Sequence, residues 1–182
     1  MKYILAIIFT FSISFSAYGS ELLSAIESGD MLRINSVLKN SDKLNEVVPE
    51  HGGFENMTPV VWAIKKKKPE VLKVLLEAGA NSNSTGGSFN TPALTMVVAT
   101  SSIQTDMMLR MIELLLDNSA DINSLSEDNS SVLHSAAYTA RKEVIELLLK
   151  EGANKDLKNN DGQTAFDLAK MFGKSEVLPL LK

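Results

Sequence analysis

The chain has 182 residues, 45% of them hydrophobic and 22% charged, with a formal net charge of −4 and no cysteine. That length and apolar content suffice for one domain with its own core. The lack of cysteine excludes a disulfide framework, a lipidated-cysteine anchor and a thiol nucleophile, and the acidic balance argues against a nucleic acid partner, because phosphate backbones repel it.

Residues 1–19, MKYILAIIFTFSISFSAYG, place Lys2 before an apolar run from Tyr3 to Phe15, with the small residues Ala17 and Gly19 at its end. The pattern is that of a secretory signal peptide cleaved after Gly19, so that the mature chain starts at Ser20. A retained membrane anchor is the competing reading, but the run is only 13 residues against the ~20 that a span requires. Cleavage removes one lysine and no acid, which takes the formal charge to −5 over the remaining 163 residues. Export is therefore expected, to the periplasm first and to the outside as the second choice, with no stable membrane insertion after cleavage.

From Leu22 onward the chain repeats itself. Residues 22–45 form a first unit when Ala25 is set against Ala63, and Thr58, Thr91, Ser131 and Thr164 then open four more, at spacings of 33, 40 and 33. A period near 33 means that no unit buries its apolar face alone, so the units must stack into a solenoid. Each hydroxyl residue stands before a helical apolar pattern, where its oxygen caps the first turn, and Pro59 and Pro92 occupy the first helical position, which loses no N–H bond. Small residues follow on the first helices (Ala63, Ala136, Ala137, Ala169). The second helices carry one apolar face, Val71, Leu72, Leu75 and Leu76 in one unit and Val144, Ile145, Leu148 and Leu149 in another. Gly79 and Gly152 end those helices in a left-handed turn, and Asn81, Asp121 and Asn154 open polar loops.

This layout strongly resembles the ankyrin repeat family over residues 22–182. Its Thr-Pro-Leu-His motif stands here as Thr58-Pro59-Val60-Val61, Thr91-Pro92-Ala93-Leu94, Ser131-Val132-Leu133-His134 and Thr164-Ala165-Phe166-Asp167. The resemblance implies an all-α solenoid of about five helix–turn–helix units with hairpin loops projecting at about a right angle. It divides residues 20–182 into an N-terminal cap (21–52), repeats 53–85, 86–125 and 126–158, and a C-terminal cap (159–182). The first unit has polar Ser24, Glu27 and Ser28 for a wet outer face, and the last has a short second helix with Pro179 near its start. Ser119 takes the helix-ending glycine position of the third unit, a cost of about 1 kcal/mol if the residue stays left-handed.

Several residues exceed what stacking demands. Trp62 follows the Thr-Pro motif at a variable position that borders the concave face in ankyrin repeats; it either anchors a partner or packs against the neighbouring hairpin. Lys65, Tyr138 and Phe172 lie on the same helix faces or their ends. Lys65 to Lys68 complement the negative end of the first helix as a solvated patch, or meet an acidic partner or an anionic membrane surface. A seven-residue insertion in the third unit, with Thr100 to Asp106 at its centre, adds two helical turns; it is expected to lengthen both helices and bulge outward, as a tolerant surface turn or a partner contact. Glu46, Glu50, Glu55 and His51 make the first loop acidic, and Glu127 and Asp128 do the same for a later one, an arrangement suited to steering a basic protein.

Catalysis has little to draw on. His51 and His134 are the only histidines, and the resemblance makes His134 a loop brace. Gly86-Gly87 fits a hairpin turn rather than a phosphate cradle. Met96, Met107, Met108 and Met111 could hold copper, but their helical spacing beside leucines favours core filling. No cofactor and no metal are expected. The expected function is non-enzymatic binding of one protein partner by a monomer, with a structural or envelope-tethering element as the alternative and an enzyme a distant third. Exported bacterial ankyrin proteins further imply an accessory or immunity protein whose partner is encoded by an adjacent gene.

Overall fold

A computed structural model describes residues 21–39, 44–45, 48–49 and 56–182. The leader, Glu46, Glu50, His51 and Glu55 lie outside the described residues. Helices come in pairs: α1 through residues 21–28 with α2 (Met31–Leu38), α3 (Pro59–Lys65) with α4 (Pro69–Glu77), and α5 (Ala93–Ala99) with α6 (Thr105–Asp117). Then follow α7 (Val132–Thr139) with α8 (Lys142–Lys150) and α9 (Ala165–Met171) with α10 (Leu178–Leu181). Between the early pairs run four two-residue strands, β1 (Val48–Pro49), β2 (Asn56–Met57), β3 (Thr85–Gly86) and β4 (Thr91–Pro92), antiparallel in that order.

Cap chemistry sets the helix starts. The Thr58 oxygen accepts from the Val61 N–H at 3.4 Å, and Pro59 begins α3. Thr164 and Asp167 form a reciprocal capping box, as do Ser131 and His134. Thr91 departs from expectation. It caps nothing, because pairing with Gly86 holds it extended in β4; α5 starts at Ala93, whose N–H donates to the Ser84 carbonyl at 2.8 Å.

Packing proceeds in two rows. The first helices α3, α5, α7 and α9 touch in sequence, the second helices α4, α6 and α8 do likewise, and the pairs α3–α4, α5–α6, α7–α8 and α9–α10 are each closed internally. Ala63, Ala93, Ala136, Ala137 and Ala169 are fully buried in the first row, where a methyl group lets helix backbones come close. Val71, Leu72, Leu75, Met108, Met111, Ile112, Leu115, Val144, Ile145 and Leu148 fill the space behind them. Burial of each such side chain contributes about 1.5–3 kcal/mol, and most of it exists only when a neighbouring unit is in place.

The loops at the helix ends are tied by a ladder of asparagine and aspartate. The N–H groups of Asn81, Asp121 and Asn154 donate to the side-chain oxygens of Asn45, Asn83 and Asn123 in the preceding loop, at 2.6, 2.7 and 2.8 Å. Within each loop the same residues accept from the N–H two positions on, Asn83, Asn123 and Asp156, each at 2.9 Å. Unit spacing is thus fixed by side-chain amides as well as by packing. Close approach governs the second hairpin, since a Cβ on Gly86 would lie 2.8 Å from Val61 Cγ1.

The insertion behaves differently from the expectation that it lengthens both helices. The 7-residue α5 is no longer than α3, whereas α6 has 13 residues against 9 in α4 and α8. Thr100 leaves the helical region at ψ 95°, and its hydroxyl closes on the Met96 carbonyl at 2.8 Å, so α5 stops there. What remains of the insertion forms the turn of residues 100–104, folded over the buried Ile103.

Gly79 and Gly152 end α4 and α8 at φ +93°, and Ser119 ends α6 at φ +67°. A side chain in this region is strained, so Ser119→Gly should raise stability by roughly 1 kcal/mol. Urea unfolding of the two proteins checks this; an unchanged or lower midpoint would contradict the strain.

Candidate functional site

The first-helix row carries an open cleft of about 440 Å³ between α5, α7 and α9, lined among others by Ala99, Ser101, Ser135, Tyr138, Thr139 and Leu168. Tyr138 projects from the last turn of α7 and remains 55% exposed. The residue after α9, Phe172, meets it edge-on, with ring centroids 4.9 Å apart and an interplanar angle of 89°, and is itself 48% exposed. Edge-to-face geometry holds both rings without burying them. Two large aromatic surfaces therefore stand fixed and unpaid by packing at the edge of a cleft.

Its far wall is the insertion turn, held by a residue from the next unit. Arg141 Nη1 donates to the Ile103 carbonyl at 3.1 Å and to Thr105 Oγ1 at 3.4 Å, while Nη2 donates to the Ser101 carbonyl at 3.1 Å. A planar guanidinium spans these acceptors together, which a lysine ammonium does not. The turn is thereby a positioned ledge, and Ser101 is set against the cleft.

The family description "Ankyrin repeats (3 copies)" matches residues 96–182, and "Ankyrin repeat" matches residues 55–86. The chain belongs to the ankyrin repeat family. A stretch of 62 residues, 34% of the chain, is 44% identical to E3 ubiquitin-protein ligase hecd-1 of Caenorhabditis elegans. Another of 133 residues, 73% of the chain, is 27% identical to Alpha-latrotoxin-Lg1a of Latrodectus geometricus. The chain spans 2% and 9% of the lengths of these two proteins, so the likeness is one of repeats. Ankyrin repeat domains are generally non-catalytic modules for protein–protein interaction.

Within this ankyrin stack the sequence-expected residues separate. Tyr138 and Phe172 come together at the cleft. Trp62 does not join them; of its two readings, anchor or packing, its burial favours packing, since the residue is 4% exposed within the core. Lys66 Nζ lies 4.5 Å and Lys65 Nζ 5.6 Å from its ring centroid, and Lys66 is paired with Glu27 at 2.6 Å. Part of the lysine run therefore covers an aromatic face. Trp62 Nε1 and the hydroxyl of Thr95, its counterpart on α5, are buried without a hydrogen-bond partner.

Glu127 and Asp128 sit at an exposed hairpin tip, but stacking uses them, which corrects the view that it does not. The Glu127 N–H donates to the Phe89 carbonyl at 3.0 Å, and its carboxylate accepts from the Asn90 amide at 2.5 Å. The Asp128 carboxylate accepts from the Ser130 N–H and hydroxyl, and its carbonyl accepts from the Asn160 N–H at 2.9 Å. Thr100 is spent on ending α5, and Asp106 lies exposed in the first turn of α6, where a negative charge complements the helix dipole.

His134 is a brace. Its Nδ1 accepts from the Ser131 N–H at 3.1 Å, so the ring proton resides on Nε2, which donates to the Gln163 carbonyl of the next hairpin at 2.9 Å. Met108 and Met111 are fully buried core residues, with Met96 and Met107 half-buried against the core. The sequence reading missed Arg141, although the unusual arginine at the turn between α7 and α8 was a signal, and it missed the asparagine ladder, visible as Asn-x-Asn, Asp-x-Asn and Asn-x-Asp.

Asp167 joins the site to stability. The Thr164 backbone N–H and then the Thr164 hydroxyl hold its carboxyl below the usual carboxylate range, which outweighs an opposing effect of desolvation, and Lys158 and Lys170 add smaller attractions. A folded-state pKa below the unfolded one stabilises above the unfolded value and ceases to do so as pH falls through the folded one. Asp167→Asn should therefore be less stable than wild type at neutral pH, with the gap closing below about pH 4. Urea midpoints measured down the acid range check this; a gap that stays constant would contradict the capping role.

Proposed function

We propose that this chain is an exported, non-enzymatic ankyrin module that holds one partner protein at the cleft between α5, α7 and α9, as an accessory or immunity protein for that partner. Its strongest support is the Tyr138–Phe172 pair, two exposed rings locked at a right angle beside a cleft. Rigid aromatic surface of this kind supplies binding energy with little ordering cost, and such residues dominate many interfaces. The insertion ledge adds shape to one side, so the surface differs from that of a plain stack. Export rests on the leader-like pattern of residues 1–19, and the adjacent-gene partner on the resemblance to exported bacterial ankyrin proteins.

Two measurements test the proposal. Intact mass of the exported protein should read a start at Ser20; a retained Met1 in a soluble fraction would overturn export. Co-expression with the products of adjacent genes should yield a soluble stoichiometric complex on size-exclusion chromatography. Tyr138→Ala should weaken that complex by roughly 2 kcal/mol while circular dichroism stays helical. Binding that is unaffected by Tyr138→Ala and by Phe172→Ala would place the interface elsewhere.

A further inference from the structure

The charges of this chain are unevenly distributed. The six ion pairs among the described residues all join side chains on helices or helix ends: Glu21–Arg33, Glu27–Lys66, Glu70–Arg110, Lys73–Glu77, Lys142–Glu146 and Lys150–Glu151. None touches a hairpin. Glu127, Asp128 and Asp161 stand exposed on the two hairpins that follow α6 and α8. The Glu127 and Asp128 carboxylates bond only neutral donors, Asn90 and Ser130, and form no ion pair among the described residues. Asp167 differs, since Lys158 and Lys170 act on it.

Two of the cleft's three helices, α5 (ALTMVVA) and α7 (VLHSAAYT), carry no Asp, Glu, Lys or Arg, and the His134 of α7 is engaged in bracing the next hairpin; the cleft ends at Tyr138. At the neighbouring hairpin tip Phe89 is 64% exposed, and its carbonyl is bonded to the Glu127 N–H, so an apolar ring lies beside the acids too. An aromatic-edged cleft with few charges on its walls, next to carboxylates that form no ion pair among the described residues, complements one chemistry in particular. From this we infer that the cleft takes a basic segment of a protein partner, one apolar or aromatic side chain seated against Tyr138 and Phe172, with flanking lysine or arginine reaching Glu127, Asp128 and Asp161. The tyrosine ring also offers a face to such a cation. Opposite charge at the rim mainly speeds and orients the encounter, while the apolar seat governs residence. This inference names the partner chemistry of the site proposed above and rests on that proposal.

A phage-displayed random dodecapeptide library selected against the full exported chain tests it. Enriched sequences should combine lysine or arginine with an aromatic or branched aliphatic residue. Synthetic peptides made from them should bind Tyr138→Ala about tenfold or more weakly than wild type. The triple variant Glu127→Lys, Asp128→Lys, Asp161→Lys should slow association about tenfold and flatten its salt dependence. Reversal of an exposed acid on α8, Glu143→Lys, should leave both unchanged. Acidic or uncharged winners, no enrichment, indifference to Tyr138→Ala, or an equal loss in Glu143→Lys would each overturn the inference. If a full-length partner still forms the stoichiometric complex while the peptides fail in this way, the binding-module reading stands and only the basic-segment chemistry falls.

Discussion

No unit of this chain can bury its own apolar surface. A helix pair of seven to nine residues each, such as α3 with α4, presents Val60, Ala63, Ile64, Val71, Leu72 and Leu75, all at most 2% exposed, and needs a neighbouring unit on either side to cover them. Everything else follows from that dependence. Alanines on the first helices let the units close up, glycines or a strained Ser119 turn the chain out of α4, α6 and α8, and the asparagine ladder repeats one spacing from loop to loop. The terminal units obey the same constraint in reverse, with exposed Ser24, Glu27 and Ser28 on α1 and a four-residue α10 at the other end.

A regular stack offers similar surface at every step, so specificity enters where the repetition breaks. Three breaks converge on the third, fourth and fifth units. The insertion adds a turn to α6 and a ledge above it, Arg141 reaches back from the next unit to fix that ledge, and Tyr138 and Phe172 put rings where the second unit has Lys65 and Lys66. Each of these uses a position that stacking leaves free. Trp62 shows the opposite case, since its ring is drawn into the core and covered by lysine side chains.

Much of the fold was legible in the sequence, because helical periodicity, helix-ending glycines and the Thr-Pro motifs are local signals that survive without knowledge of tertiary contacts. Legibility failed where a local signal competed with a distant partner. Thr91 has the same sequence context as Thr58, but pairing with Gly86 across the hairpin pulls it into a strand. The insertion could lengthen either helix by periodicity alone, and the Thr100 hydroxyl together with the burial of Ile103 decides which. The site was half legible: aromatic residues at face positions flagged Tyr138 and Phe172, but their different places in the repeat, seven residues after Ser131 for Tyr138 and four after Thr58 for Trp62, do not by themselves say which ring is buried. Burial depends on what a neighbouring unit places opposite each ring, which is information that no single repeat contains.

The central claim is that units are stable only through one another, and native-state hydrogen exchange of Leu148→Ala tests it most directly. Leu148 is fully buried in α8, and its truncation should cost about 2–5 kcal/mol. The account predicts that amides of α6 and α7 lose protection together with those of α8, by similar factors. Loss of protection confined to α8, with α6 and α7 unchanged, would contradict it.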